Sequence, residues 1–417
     1  MRVADFQKLF VSASSSGLGQ QVSLLALPLV AILGLHASPL EVGTLAALGT
    51  LPYLLVGLPA GAYIERVHLR PLLTFAALMR ACVLTSVPVL WAFHRVNIEV
   101  LDVVALLVGL LSTFYDIAWQ TYLPSLVGTS RLHEASSRLT IASSGSQLFG
   151  PGLAGILVHA LSAPLALLAD ALGFVVAGLS VRSIKAPEPE RLSGEGDAGM
   201  VRRVVEGVAY VTRHDLLRWI AVGTGAWNFV GTSLNVVLVL FEARVLHYSA
   251  GTIGLVFFIG NIGYLVGAPL VRMVTSRLGV GRTMLLGATL GGIGPAILPF
   301  ARVQDAMAVL VVGWFFRALG SPLYMVNQLS LRLAITPAAL TARMTATMKF
   351  FVMGAMPLGS FLGGVLAGAL GDRPTLWLIA AVAACSVLAT ALSNLRQVRT
   401  PPEHLGPPGV VFDPNPS

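Results

Sequence analysis

Three charged residues stand where the surrounding sequence gives them no water. Asp116 lies in LLSTFYDIAWQTYL, Arg80 in LLTFAALMRACVLTS, and Arg317 in VLVVGWFFRALGSPL. A charge in the middle of a membrane helix costs about 2.5–3.5 kcal/mol on insertion scales, so each asks for a function or a partner. Asp116 and Arg80 fall at matching depths in neighbouring apolar runs. A structural ion pair between them is one reading. The other makes Asp116 a proton-coupling carboxylate that gains and loses its proton as a cavity opens and closes. The two are compatible. Arg317 has no acidic neighbour in its own run. It either caps backbone carbonyls, pairs with Asp170, or faces a cavity. Lys349 is expected to snorkel to the cytoplasmic face, and Asp170 to be buried and structural.

Other chemistry is missing from the sequence. There is no HExxH, no GxxxxGK[ST] and no GxSxG, so no metalloprotease, nucleotide-phosphate or hydrolase signature is present. Cys82 and Cys385 lie far apart inside apolar runs and read as small packing residues rather than metal or redox groups. The expectation is a non-enzyme with no cofactor and no metal site. The net charge is +8, but no basic stripe interleaved with aromatics accompanies it, which argues against nucleic acid.

The elements that hold these charges follow from composition. Of 417 residues, 55% are hydrophobic and 11% charged, and mean hydropathy is +0.80. A soluble domain carries about 25% charged residues. Apolar runs of roughly 20 residues recur along the chain, each long enough to cross hydrocarbon. They are too long and too little alternating for barrel strands, so they are helices. Twelve spans account for them, the second covering 40–64. Most of the 27 Lys and Arg residues then fall on the side of the termini, whereas the opposite loops hold Arg95, Arg244, Arg302 and Arg373. The positive-inside rule places both termini in the cytoplasm. The Arg-rich, Ala- and Gly-rich composition points to a bacterial inner membrane.

The longest connection falls at the middle. This gives residues 1–184 as a first six-helix bundle, 185–215 as a cytoplasmic linker and 216–396 as a second bundle. Residues 397–417, rich in proline, form a disordered tail. Within the linker, MVRRVVEGVAYVTRH has Val and Tyr on one face and Arg on the other, and is expected to lie on the membrane surface. The halves look duplicated. Sliding the chain until Gly57, Gly61, Ala62 and Arg66 fall on Gly263, Gly267, Ala268 and Arg272 also places Pro151 on Pro357. Parallel halves of this kind are a transporter plan.

Two motifs carry a family resemblance. Gly61-Ala-Tyr-Ile-Glu65-Arg66-Val-His68-Leu69-Arg70 resembles the loop between helices 2 and 3 of the major facilitator superfamily, departing from it at His68 and Leu69. Gly150-Pro151-Gly-Leu-Ala154-Gly155 is similar to the Gly-Pro motif of that family's drug antiporters. The wider sequence resembles the branch of enterobactin-type siderophore exporters and macrolide-efflux proteins, over about residues 10–396. The resemblance implies two pseudo-symmetric six-helix bundles and proton-coupled efflux of a small amphipathic compound, an antibiotic or a siderophore. An importer, or a lysophospholipid-type transporter on the same fold, is the alternative. It implies a central cavity lined by helices 1, 4, 7 and 10, with Arg317 opposite Asp116 or facing an anionic substrate group. Gln20, Gln21, Tyr115, Trp119, Trp227, Asn228, Asn235, Asn327 and Gln328 would add hydrogen bonds and aromatic surface there. Glu65, Arg66 and Arg70, with Gly61 and Arg272, would form a cytoplasmic gate. The partners expected are the substrate, protons and the bilayer, with the protein a monomer.

Overall fold

The computed structural model describes residues 3–64, 67–127, 132–184 and 200–399. Among these every regular element is helical: α1 (Val3–Leu29), α2 (Pro39–Leu55), α3 (Gly57–Ile64), α4 (Leu69–Ala92), α5 (Ile98–Val127), α6 (Leu132–Leu161) and α7 (Ala163–Arg182) form one group. After α8 (Met200–Arg213) come α9 (Asp215–Leu240), α10 (Ala250–Leu278), α11 (Val280–Ile297), α12 (Ala306–Ala334), α13 (Ala338–Leu370) and α14 (Asp372–Leu392). Eleven of the described spans are long and apolar enough to cross a bilayer. Leu24, Phe75, Leu172, Leu265 and Leu388 are exposed on the outside of the bundle, where lipid is the natural solvent.

The second expected span, 40–64, is not one helix. It breaks at Val56 into α2 and α3. Pro59, third residue of α3, has no backbone N–H to donate to Leu55 O, so the helical hydrogen-bond ladder is interrupted across Val56. The start of α2 is firmly fixed. The Ser38 hydroxyl accepts from Glu41 N, and Ser38 N donates to Glu41 Oε2 at 2.6 Å. That is a capping box, which satisfies two donors a helix end leaves free. At the other extreme, α10 and α13 stop at Gly279 (φ 82°) and Gly371 (φ 89°), a backbone region open mainly to glycine.

The halves repeat; α6 and α13 keep the expected register, with Pro151 opposite Pro357, but the earlier elements of each half do not. The π turn Val30–Gly34 that ends α1 is matched by the π turn Phe241–Val245 that ends α9. Each is followed by a histidine in the left-handed region, His36 (φ 53°) and His247 (φ 52°). Each then leads to a serine cap, Ser38 before α2 and Ser249 before α10. Gly43 therefore matches Gly254, and Gly57 does not match Gly263. The environments agree with this correction. A Cβ on Gly57 would meet nothing within 4 Å, whereas Gly263 and Gly267 press on the α12 backbone at Phe315 and Leu319.

The two groups meet along two seams, α2 on α13 and α6 on α10. Glycine makes both possible. A Cβ on Gly43 would lie 2.7 Å from Gly364 Cα, and one on Gly254 2.6 Å from Pro151 O. Small residues at such crossings let backbones approach to dispersion range. Both crossings lie toward the ends of these helices remote from α8; this end is called the far face below.

Three further expectations are corrected. Helix α8 is amphipathic, but its apolar face covers protein rather than lipid: Val211 is buried, Gly207 sits against Arg343 O and Thr347 of α13, and Arg343 pairs with Glu206 at 2.5 Å. The start of the tail is ordered, since Val280 N and Gly281 N donate to Arg399 O (3.1 Å) and Val398 O (2.9 Å). Cys82 and Cys385 are exposed rather than packed inside.

Candidate functional site

Asp116 is half-buried in the middle third of α5. It is not the partner of Arg80. The Tyr53 hydroxyl of α2 donates to Asp116 Oδ2. Arg80 instead donates from Nη2 to Asp170 Oδ2 at 3.1 Å and from Nη1 to Ser112 Oγ at 2.6 Å, with its guanidinium 4.0 Å from the Phe174 ring centroid. Matching depth was the wrong criterion. Arg80 is turned into the interior of the first helix group, toward α7, and Asp116 is turned toward α2. Asp170 is thus taken by Arg80, which also removes it as a partner for Arg317.

Beside Asp116, the two groups are bridged. Lys349 Nζ on α13 donates to Gln120 Oε1 on α5 at 2.6 Å. The structure places Lys349, expected to reach a membrane face, in a contact between the helix groups, one helical turn from Asp116. Tyr53, Gln120 and Lys349 were missed as site residues because they are distant in sequence and individually ordinary.

Arg317 belongs to a second cluster. Its guanidinium lies 4.8 Å from the Trp227 ring centroid and Nη2 reaches Trp227 O at 3.4 Å. Trp227 in turn stacks on Tyr324 with centroids 5.3 Å apart. A guanidinium over an indole face is attracted by the ring quadrupole. Stacked in this way it keeps N–H donors available for a planar anion. Asn228 is half-buried next to Trp227, with its amide donating to Thr224 O at 2.9 Å. Asn235, Gln20 and Gln21 are also half-buried.

Two predicted cavity residues are spent elsewhere. Tyr115 is buried inside the first group, its hydroxyl 3.1 Å from Ser12 Oγ and its ring stacked on Trp119 with centroids 6.0 Å apart. Asn327 is buried and ties α12 to α10, accepting from Thr275 Oγ1 at 3.1 Å and donating to Leu323 O at 2.9 Å. Gln328 is buried as well.

The Gly-Pro motif lies in the α6–α10 seam. A Cβ on Gly155 would sit 2.8 Å from Ala250 O and from Gly254 Cα, while Gly150 presses on Gln21 of α1. Pro151 O is the atom that Gly254 approaches. The motif therefore builds the far-face contact between the helix groups. Of the expected gate, Glu65 and Arg66 lie outside the described residues. Gly61 is in α3, Arg70 is in the first turn of α4, and Arg272 is exposed near the end of α10.

Comparison with known proteins agrees with this architecture. The Major Facilitator Superfamily profile matches residues 9–241 and again 220–412. The chain is 27% identical over 409 residues to the multidrug efflux pump Tap of Mycolicibacterium fortuitum, covering 94% of this chain and 96% of that protein. It is 24% identical over 371 residues to the uncharacterised MFS-type transporter y4rN of Sinorhizobium fredii, covering 88% and 89%. Among solved structures, a bacterial homologue of the iron transporter ferroportin in an inward-facing state superposes with a TM-score of 0.76 at 14% identity, covering 94% of this chain and 98% of that one. A point mutant of the nucleoside transporter NupG gives 0.75 at 11%, covering 93% and 99%. With its helical architecture and a profile match that spans nearly the whole chain, the protein is a multi-pass membrane transporter belonging to the Major Facilitator Superfamily.

Proposed function

We propose that the protein is a proton-coupled exporter of a small amphipathic compound, working by alternating access as a monomer in a bacterial inner membrane with both termini cytoplasmic. Residues 1–184 and 216–396 are the two bundles that rock against each other, joined by the linker 185–215. The observation that carries this reading is the Asp116–Tyr53 hydrogen bond beside the Lys349–Gln120 bridge. A carboxyl whose environment is shared between two moving bodies changes its proton affinity as they move, which is what coupling requires. Deprotonated, Asp116 accepts from Tyr53 and attracts Lys349 across the gap, drawing α5 and α13 together. Protonated, it loses that attraction and the gap can open. Arg317 against Trp227, with Asn228 alongside, offers a cargo a fixed cation and an amide. The α2–α13 and α6–α10 seams close the far face in the described state, and on this reading their parting releases cargo there after it is loaded from the cytoplasm.

The test is transport in proteoliposomes under an imposed pH gradient, screening amphipathic antibiotics and siderophores. Uphill export should stop when the gradient is dissipated. Asp116→Asn should abolish uphill movement while exchange down a substrate gradient survives, and Tyr53→Phe should shift the pH dependence of export. Uphill transport by Asp116→Asn at the native rate would overturn the assignment.

A second reading concerns the cargo. An apolar groove of about 800 Å³ lies between α1, α6 and α10, lined by Leu18, Phe149, Leu153, Ile156, Leu255 and Phe258. It suits an acyl tail, and a lysophospholipid-type cargo on the same fold is tested by exchange of a labelled lysophospholipid in the same vesicles.

A further inference from the structure

The matched π turns share a backbone but no side chain, and their second positions differ sharply in chemistry. In Val30–Gly34 the second position is Ala31, and in Phe241–Val245 it is Glu242. The backbone does the same work in both, since Ala37 N donates to Ala31 O at 2.9 Å and Tyr248 N donates to Glu242 O at 2.9 Å. Building the turn therefore needs no carboxyl. Yet the Glu242 side chain is 0% exposed, and neither carboxyl oxygen has a hydrogen-bond partner among the described residues. Its neighbours Phe241 and Ala243 belong to the main apolar core.

The turn forms part of the far-face seal. Arg244, two residues on, donates from Nη2 to Ala37 O in the loop that leads into α2, and so crosses from one helix group to the other. The surrounding charged and titratable groups are otherwise engaged. Arg373 at the start of α14 stands 5.6 Å from the Phe241 ring centroid and donates to Ala301 O at 2.5 Å. Glu41 of α2 and Asp372 of α14 act on Arg244. Tyr248 is near the carboxyl but does not hydrogen-bond to it through its hydroxyl. An unpaired carboxylate so placed would carry the full desolvation cost of a charge, and such a group neutralises instead.

We propose that Glu242 is a second proton-binding site, in the far-face gate: protonated while that face is closed and ionised when it opens, so that closing takes up a proton from the solvent on that side. When the seal parts, Arg244 releases Ala37 O, water reaches the turn, and the carboxylate gains both hydration and a neighbouring cation. When the seal re-forms, the carboxylate must take a proton before it can be buried. Single π turns are frequent at functional sites. Acid on the far side then favours the closed far face. The inference rests on the reading that the two bundles rock, but not on Asp116 being the coupling site or on the identity of the cargo.

The experiment reads the gate directly, without substrate. In a background with Cys82 and Cys385 replaced by Ala, Ser360→Cys places a thiol in the α2–α13 seam, and Val303→Cys places a reference thiol in an exposed loop. Proteoliposomes are labelled with a membrane-impermeant maleimide while the pH on the far side is varied at fixed internal pH. The rate at Ser360→Cys is divided by that at Val303→Cys. With Glu242 present, relative labelling should fall by up to tenfold per unit of acidification across the titration window, the limit for one linked proton. Glu242→Gln should label slowly at every pH. Glu242→Ala, which copies Ala31 of the matching turn and so keeps the fold, should also lose the slope, and Glu242→Asp should keep one. No slope in the parent protein, or the parent slope retained in Glu242→Gln or Glu242→Ala, would overturn the proposal. Such a failure leaves the Asp116 transport test standing, and a failed Asp116 test leaves this one standing.

Discussion

Cutting one partner of the Arg80–Asp170 pair should destabilise the first bundle, with an asymmetry fixed by chemistry. The pair is 3.1 Å apart, with side chains 4% and 0% exposed. At an effective dielectric of about 20, Coulomb's law gives an attraction of about 5 kcal/mol at that distance. Desolvation offsets much of it, and what experiments read on removing one partner of a buried pair is about 3–5 kcal/mol. Asp170→Ala should fall in that range, because a guanidinium cannot shed its proton and Ser112 and Phe174 alone must hold it. Arg80→Met should cost less, because the abandoned carboxyl can neutralise itself by taking a proton. The double variant Arg80→Met with Asp170→Leu should recover most of the loss, since apolar groups of similar volume often replace a buried ion pair at little cost. The assay is reversible denaturation in detergent micelles, run as a double-mutant cycle with Asp116→Asn as control. If Asp170→Ala loses less than about 0.5 kcal/mol, or if the double variant is as unstable as the two singles combined, the pair is not what organises this core. If Asp116→Asn couples to Arg80→Met as strongly as Asp170→Ala does, the assignment of Arg80 to Asp170 fails.

Two further outcomes follow from packing and burial. Gly43→Ala and Gly254→Ala each set a Cβ within 2.7 Å of a facing backbone atom, so each should part its seam and favour the open far face. Faster relative labelling at Ser360→Cys checks this. His214, between α8 and α9, is held below its usual 6.5 mainly by burial, with Asp215 opposing. Its undocked form therefore binds the extra proton, so docking of α8 is at full strength above about 6.5 and weakens as pH falls through the window below it. Hydrogen exchange of the α8 amides should show this, and His214→Asn should remove it.

Composition and run length determined a great deal by themselves. Only helices and closed barrels satisfy their backbones in hydrocarbon, and runs this long and this little alternating do not make barrel strands, so 55% hydrophobic residues in repeated long runs dictated an all-helical membrane fold. Asp116 and Arg317 were conspicuous for the same reason, as charges with no water. Pairing was not legible, because depth along a helix says nothing about the direction in which a side chain points. Arg80 turned toward Asp170, Asp116 toward Tyr53, and Asn327 into a helix contact. The register of the repeat's earlier elements was also hidden. Few residues are shared between the halves, whereas the matched turns are a backbone pattern with different side chains. That pattern also isolates Glu242: the sequence placed it at the end of an apolar run, where a glutamate would meet water, and only the tertiary structure folded it inward without a partner.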